Sequence, residues 1–193
     1  MTSVRVLIID HHDSYTYNLV HLVAAVTGSL PDVIQHDDRS QATAWRSGYS
    51  HIVLSPGPGT VNDPDDFMMG REVLASSTVP VLGVCLGMQG LVVGFGGRVE
   101  VVEPAHGEVA SVYHTGVGLF ARLPQGFAAV RYHSLAAVAV PAELEVTAWC
   151  QGADGQVTMG VAHRSRPFVG VQFHPESVLT GGGRQLIESF VST

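Results

Sequence analysis

Short apolar runs separated by stretches of helical periodicity leave this chain few ways to fold. Residues 4–9, 51–54 and 79–84 are apolar at nearly every position, not every second one, so each reads as a strand buried on both faces. Between the first two, Tyr15, Leu19, Leu22, Val23 and Val26 recur at helical spacing behind the cap candidates Asp13 and Ser14, with Gly28 as the stop. A further strand is expected at 32–36, and helices at 65–75 and 88–95. Strands alternating with helices imply βαβ units and a parallel sheet covered on both faces.

After residue 97 the pattern turns strand-rich, with expected strands at 98–102, 108–113, 128–132, 144–150, 157–163 and 168–173. A last helix, 184–191, carries Leu186, Ile187, Phe190 and Val191 towards the core. No repeat or linker interrupts the chain, and 193 residues fall in the range of one domain. The expectation is a single α/β domain over residues 1–193, with a mixed, mostly parallel sheet flanked by helices.

Composition narrows the function. With 46% hydrophobic and 14% charged residues the chain has ample material for a core, which excludes disorder. A formal charge of −7, with ten Lys and Arg scattered along the chain, excludes a basic nucleic-acid stripe. No apolar stretch approaches the roughly 20 residues of a membrane helix, and residues 1–5 lead into a strand without the apolar region of a secretory signal. Two cysteines, Cys85 and Cys150, are too few for a disulfide framework and read as free thiols, so a cytoplasmic protein is expected.

The chemistry concentrates in three places. Gly83-Val84-Cys85-Leu86-Gly87 follows an apolar strand and has the G-x-nucleophile-x-G form of a nucleophile elbow, with sulfur in place of oxygen. The helix that follows favours a thiolate at its N-terminus. His174-Pro175-Glu176 follows another strand and offers a base for the thiol and a carboxylate to orient that base. Alone, it would pass for a surface turn. Gly57-Pro58-Gly59 also reads as a plain turn in isolation, but at the end of a buried strand it can bring backbone donors to an oxyanion, beside the N–H of Leu86.

Taken in order, Ser55-Pro56-Gly57-Pro58-Gly59, Gly83-Val84-Cys85-Leu86-Gly87-Met88-Gln89, Arg131-Tyr132-His133-Ser134-Leu135 and Gly170-Val171-Gln172-Phe173-His174-Pro175-Glu176-Ser177 make the chain resemble the class I (triad) glutamine amidotransferases, whose fold is flavodoxin-like. Within them it is similar to the small components of anthranilate synthase and aminodeoxychorismate synthase. The likeness runs from Asp13-Ser14-Tyr15 to the end of the chain.

The resemblance implies that Cys85 attacks the side-chain amide of glutamine with His174 and Glu176 completing the triad. It implies glutamine contacts at Gly57, Gly59, Leu86, Gln89, Ser134 and Leu135. Ammonia would pass to a chorismate-using synthase, with no cofactor or metal on this chain and magnesium on the synthase. Residues 17–28 and Gln89-Gly90 look more like the glutaminase domains of fused aminodeoxychorismate synthases than like the anthranilate components.

Departures from the family pattern are His11 and His12, where an Asn and an aromatic residue usually stand, Met88 in place of a His, and Glu108 in place of a Lys or Arg. None belongs to the triad. The histidines show no metal-ligand spacing; only His11 and His12 are neighbours in the chain. The alternatives are a stand-alone cysteine amidase or γ-glutamyl hydrolase, and a non-catalytic scaffold, which would have no need of all three triad residues.

Overall fold

The computed structural model describes residues 4–153 and 155–193, so that residues 1–3, part of the segment read against a secretory signal, lie outside it. Eleven strands are found among the described residues: β1 (Val6–Asp10), β2 (Asp32–Gln35), β3 (His51–Leu54), β4 (Val81–Val84), β5 (Arg98–Val101), β6 (Glu108–His114), β7 (Phe127–Arg131), β8 (Leu135–Ala139), β9 (Leu144–Gly152), β10 (Gly155–His163) and β11 (Phe168–Val171). Four helices accompany them: α1 (Thr16–Thr27), α2 (Met68–Ser76), α3 (Leu86–Gly94) and α4 (Gly183–Phe190).

Nine strands join in one mixed sheet of order β2-β1-β3-β4-β11-β10-β9-β6-β7, while β5 and β8 pair separately. The first five strands of that order run parallel, and the rest are antiparallel. Every residue of β1, β3 and β4 is buried, as continuous apolar runs require of strands covered on both sides. One face packs Val53, Leu82 and Val84 with Leu19, Val20 and Val23 of α1 and Leu186, Ile187 and Phe190 of α4. On the other, Ile52, Leu54 and Val81 meet Val73 and Leu74 of α2 and Leu91 and Val92 of α3. This is the expected α/β architecture, and no helix among the described residues is long and apolar enough to cross a membrane.

Some local expectations need correction. Asp13 and Ser14 do not cap α1, which starts at Thr16 with no side-chain cap. Asp13 instead accepts from the N–H of Tyr15 at 2.8 Å, and the Thr16 hydroxyl donates to Asp10 at 2.7 Å. Gly28 does end the helix, donating to the Ala24 carbonyl at 2.9 Å. The segment expected as helix 65–75 is a 3₁₀ turn, Asp65–Phe67, followed by α2, because Phe67 leaves the helical track to lie buried. Helix α3 begins at Leu86, earlier than expected, with Cys85 at its cap. Strand β8 is an addition to the expected set: Leu135–Ala139 is alanine-rich and, among the described residues, pairs only with β5.

Candidate active site

The parallel half of the sheet ends along one edge, where the loops after β1, β3, β4 and β11 converge. Ligand sites of open α/β sheets lie at this carboxyl edge. Strands β4 and β11 are in register, Val84 opposite Val171, and the N–H of Cys85 donates to the Val171 carbonyl at 2.8 Å. That pairing brings the cysteine motif beside the histidine motif, although 89 positions separate Cys85 from His174 (174 − 85).

Cys85 sits on a sharp turn with φ 51° and ψ −99°, a backbone region that non-glycine residues seldom occupy. Glycines on either side make the turn feasible by close approach. A Cβ on Gly83 would come within 2.4 Å of the Gly87 backbone, and one on Gly87 within 2.4 Å of the Leu54 carbonyl oxygen. Both obstacles are backbone, so they cannot swing aside. Gly87→Ala should therefore cost about 1–3 kcal/mol, read from urea unfolding. A loss below about 0.5 kcal/mol, the range of neutral surface changes, would mean that the elbow is less tightly packed than described.

His174 Nδ1 and the Glu176 carboxylate lie 2.6 Å apart, with both side chains buried. His174 is tied to β7, donating its N–H to the Val130 carbonyl at 3.3 Å. The Thr180 hydroxyl donates to the His174 carbonyl at 2.7 Å while accepting from the Val130 N–H at 3.1 Å. The other ring nitrogen, Nε2, is buried and makes no hydrogen bond of ordinary length. Cys85 is nevertheless close enough to act on the ring's charge. Burial, the largest influence, lowers the imidazole's proton affinity, but Cys85 and Glu176 together outweigh it and raise the pKa from 6.5 to about 10. The direction favours the protonated imidazole beside the sulfur.

Of the remaining expected residues, Gln89 is linked to Cys85 through Gln172, while the contacts of Gly59 and Ser134 are with other residues. Leu86 opens α3, so its N–H belongs to the first helical turn and has no intrahelical acceptor. Gly57 is pressed against His11, with a Cβ there only 2.5 Å from the His11 carbonyl oxygen. Gly59 has φ +84° and lies against the Asp66 carboxylate, which accepts from the Thr60 N–H at 2.8 Å. Gln89 is buried and donates through Nε2 to the Leu135 carbonyl at 2.9 Å. Ser134 is exposed, and its carbonyl accepts from the Val102 N–H at 2.9 Å. Gln172 stands in the last of the four motifs, where sequence alone suggests no role for it. Its Nε2 donates to Cys85 Sγ at 3.4 Å.

The departures from the family pattern are also accounted for. His11 is buried between His36 and Phe67, with ring centroids 5.0 and 4.7 Å away. Met88 is buried against Gly170. Glu108 pairs with the buried Arg131 at 3.3 Å, and Arg131 donates to Cys150 at 3.4 Å. Both cysteines are free and buried. His12, His36 and Asp37 come together with candidate ligand atoms within 4.8 Å, a grouping that sequence spacing does not show; His12 Nε2 is 3.1 Å from Asp37.

Comparison with known proteins gives the family and the fold. A family model described as "Glutamine amidotransferase class-I" matches residues 7–193. The chain is 47% identical to an aminodeoxychorismate synthase of Streptomyces griseus over 96% of its own length and 25% of that protein. It is 42% identical to anthranilate synthase component 2 of Halobacterium salinarum, covering 97% of this chain and 96% of that one. It thus spans about a quarter of the aminodeoxychorismate synthases it matches. A crystal structure from Thermoplasma acidophilum, named for one subunit of GMP synthase, superposes with TM-score 0.87 at 21% identity, over 100% of this chain and 94% of that one, and so shares the fold. From the match along residues 7–193 and these relatives, the chain belongs to the class-I glutamine amidotransferase family.

Proposed function

We propose that this chain hydrolyses glutamine at Cys85 and delivers the ammonia to a chorismate-aminating synthase. The observation that carries the reading is the His174–Glu176 pair, which leaves Nε2 of the ring buried and unpartnered beside a cysteine on a strained elbow. With its proton on His174, the Cys85 sulfur attacks the amide carbon. The tetrahedral oxyanion is met by the Leu86 N–H and a backbone donor of Gly57. His174 then gives its proton to the leaving nitrogen, releasing ammonia and a γ-glutamyl thioester. Water, deprotonated by the same imidazole, hydrolyses the thioester to glutamate. Glu176 holds the tautomer throughout.

Gly57, Gly59, Leu86, Gln89, Ser134 and Leu135 hold the substrate glutamine in this reading. All these steps use groups of the chain itself, so the reading assigns it no metal or cofactor and leaves magnesium to the synthase. Free thiols suit a reducing cytoplasm.

A partner is suggested by the rim of the site. Tyr15, Tyr132, Val178 and Leu179 line a cavity of about 170 Å³ against His174 and Glu176, and Val178 is 99% exposed. Apolar groups gathered on a surface beside a catalytic cleft commonly mark a protein contact. Identities of 47% and 43% to two aminodeoxychorismate synthases, against 42% to the Halobacterium anthranilate component, favour the aminodeoxychorismate pathway.

Coupling would follow if the synthase binds best when the Gly57 donor faces the oxyanion. One such donor is worth roughly 10²–10³ in turnover. Adding an aminodeoxychorismate synthase component with chorismate should therefore raise glutamate release at least about tenfold, while an anthranilate component raises it less. High turnover that no partner changes would favour a stand-alone cysteine amidase or γ-glutamyl hydrolase.

A further inference from the structure

The orientation of two buried amides can be worked out from one carbonyl. The Leu135 carbonyl can only accept, so Gln89, 2.9 Å away, must present Nε2 to it. The same Nε2 lies 3.3 Å from the Gln172 side-chain oxygen, which takes its second proton. With Oε1 occupied, Gln172 must turn Nε2 outward, and that atom meets Cys85 Sγ at 3.4 Å. Gln172 is fully buried and Gln89 nearly so, which denies both amides a competing water. Donation therefore starts at Gln89, which gives one N–H to the first residue of β8 and the other to Gln172, and Gln172 passes the direction on to the nucleophile.

We propose that Gln172 is a positioning residue for Cys85: its amide N–H holds the sulfur towards the substrate side of the elbow and stabilises it as thiolate. A thiol sulfur is a weak acceptor and a thiolate a strong one, so the hydrogen bond is worth more after the proton has moved to His174. The relay also fixes what Gln89 has left to offer. Both of its N–H groups are engaged, so only Oε1 can face a ligand, as an acceptor for the N–H groups of an amide substrate. Because Leu135 starts β8, displacement of that strand would release Gln89, then Gln172, and loosen the sulfur. The inference rests on the glutaminase reading for its catalytic consequence, though not for the contact itself.

The test is alkylation of Cys85 by iodoacetamide in the full chain, followed on the Cys85 peptide by mass spectrometry between pH 5 and 10. Gln172→Met keeps the length and removes the donor. Alkylation near pH 6 should slow about tenfold, with the profile displaced to higher pH, while rates at the alkaline plateau stay within about twofold. A lost charge-assisted hydrogen bond predicts a change of that order. In steady state, kcat for glutamine should fall by a similar factor with KM nearly unchanged. Gln172→Met with an unaltered alkylation profile, or with only KM raised, overturns the proposal and makes Gln172 a spacer for Gln89.

If Gln172→Met does not fold, Gln89→Met carries the test. It frees Gln172 to rotate and should displace the profile in the same direction by a smaller amount; no displacement again overturns the proposal. Alkylation needs no glutamine, so wild-type protein inert with every synthase would count against the functional reading alone.

Discussion

On the proposed function, replacing Cys85 by serine will abolish glutamine-dependent product formation, while the complex with the synthase, supplied with ammonium salts, will continue to aminate chorismate. The expected loss of glutaminase turnover is at least ~10³-fold. Serine is nearly isosteric, and the elbow that fixes position 85 is built by Gly83 and Gly87, so the fold should survive. What changes is acidity. The imidazole of His174, flanked by Glu176, can hold a proton taken from sulfur, but an alcohol is far more reluctant to part with one. Ammonia from solution bypasses the step that needs the thiol. Substantial glutaminase activity in the serine variant would remove Cys85 from its assigned role, and loss of ammonium-dependent activity would point to a damaged interface instead.

The elbow around Cys85 was legible in the sequence for a physical reason. A nucleophile elbow needs glycines at fixed offsets because backbone packs against backbone there, as Gly83, Gly87 and Leu54 do. The buried parallel strands were legible too, since double-sided burial leaves an unbroken apolar run. Strand β8 was not, because its alanines and exposed valine carry no hydrophobic alternation and it pairs with β5 apart from the main sheet. The capping role expected of Asp13 and Ser14 failed because the carboxylates of Asp10 and Asp13 organise the turn before α1 instead. Gln172 escaped notice because its importance lies in neighbours at positions 85 and 89, brought near only by the pairing of β4 with β11. The gathering of His12, His36 and Asp37 likewise depends on β1 lying beside β2.

Acid will destabilise this protein well before its carboxylates titrate. His11 is buried at 1% exposure, and desolvation, helped by the neighbouring His36, lowers its pKa from 6.5 to about 3. His133 is buried at 4%, and desolvation with the charge of Arg131 lowers its pKa to about 4. A histidine with a depressed folded-state value is neutral in the native chain and takes up a proton only on unfolding. Its penalty is absent at pH values above about 6.5 and grows as the pH falls towards the folded value. By pH 5 each of the two should have cost about 2 kcal/mol.

His36 and His51, also shifted downward by burial, add in the same direction. His174 behaves oppositely: its raised value gives a stabilisation that is complete below about 6.5 and is lost as the pH climbs through about 10, so it does not contribute to the acid loss. Asp13, raised by burial, recovers some stability as it protonates, which blunts the effect without reversing it. Urea unfolding at pH 7 and pH 5 measures the sum, and His11→Asn isolates one part, because an amide of similar size cannot titrate. That variant should lose about 2 kcal/mol of the difference between the two pH values, whatever its stability at pH 7. An acid dependence equal to the wild type's would show that His11 accepts a proton in the folded protein, and with it that the packing of His11 beneath Gly57 opens more readily than its burial implies.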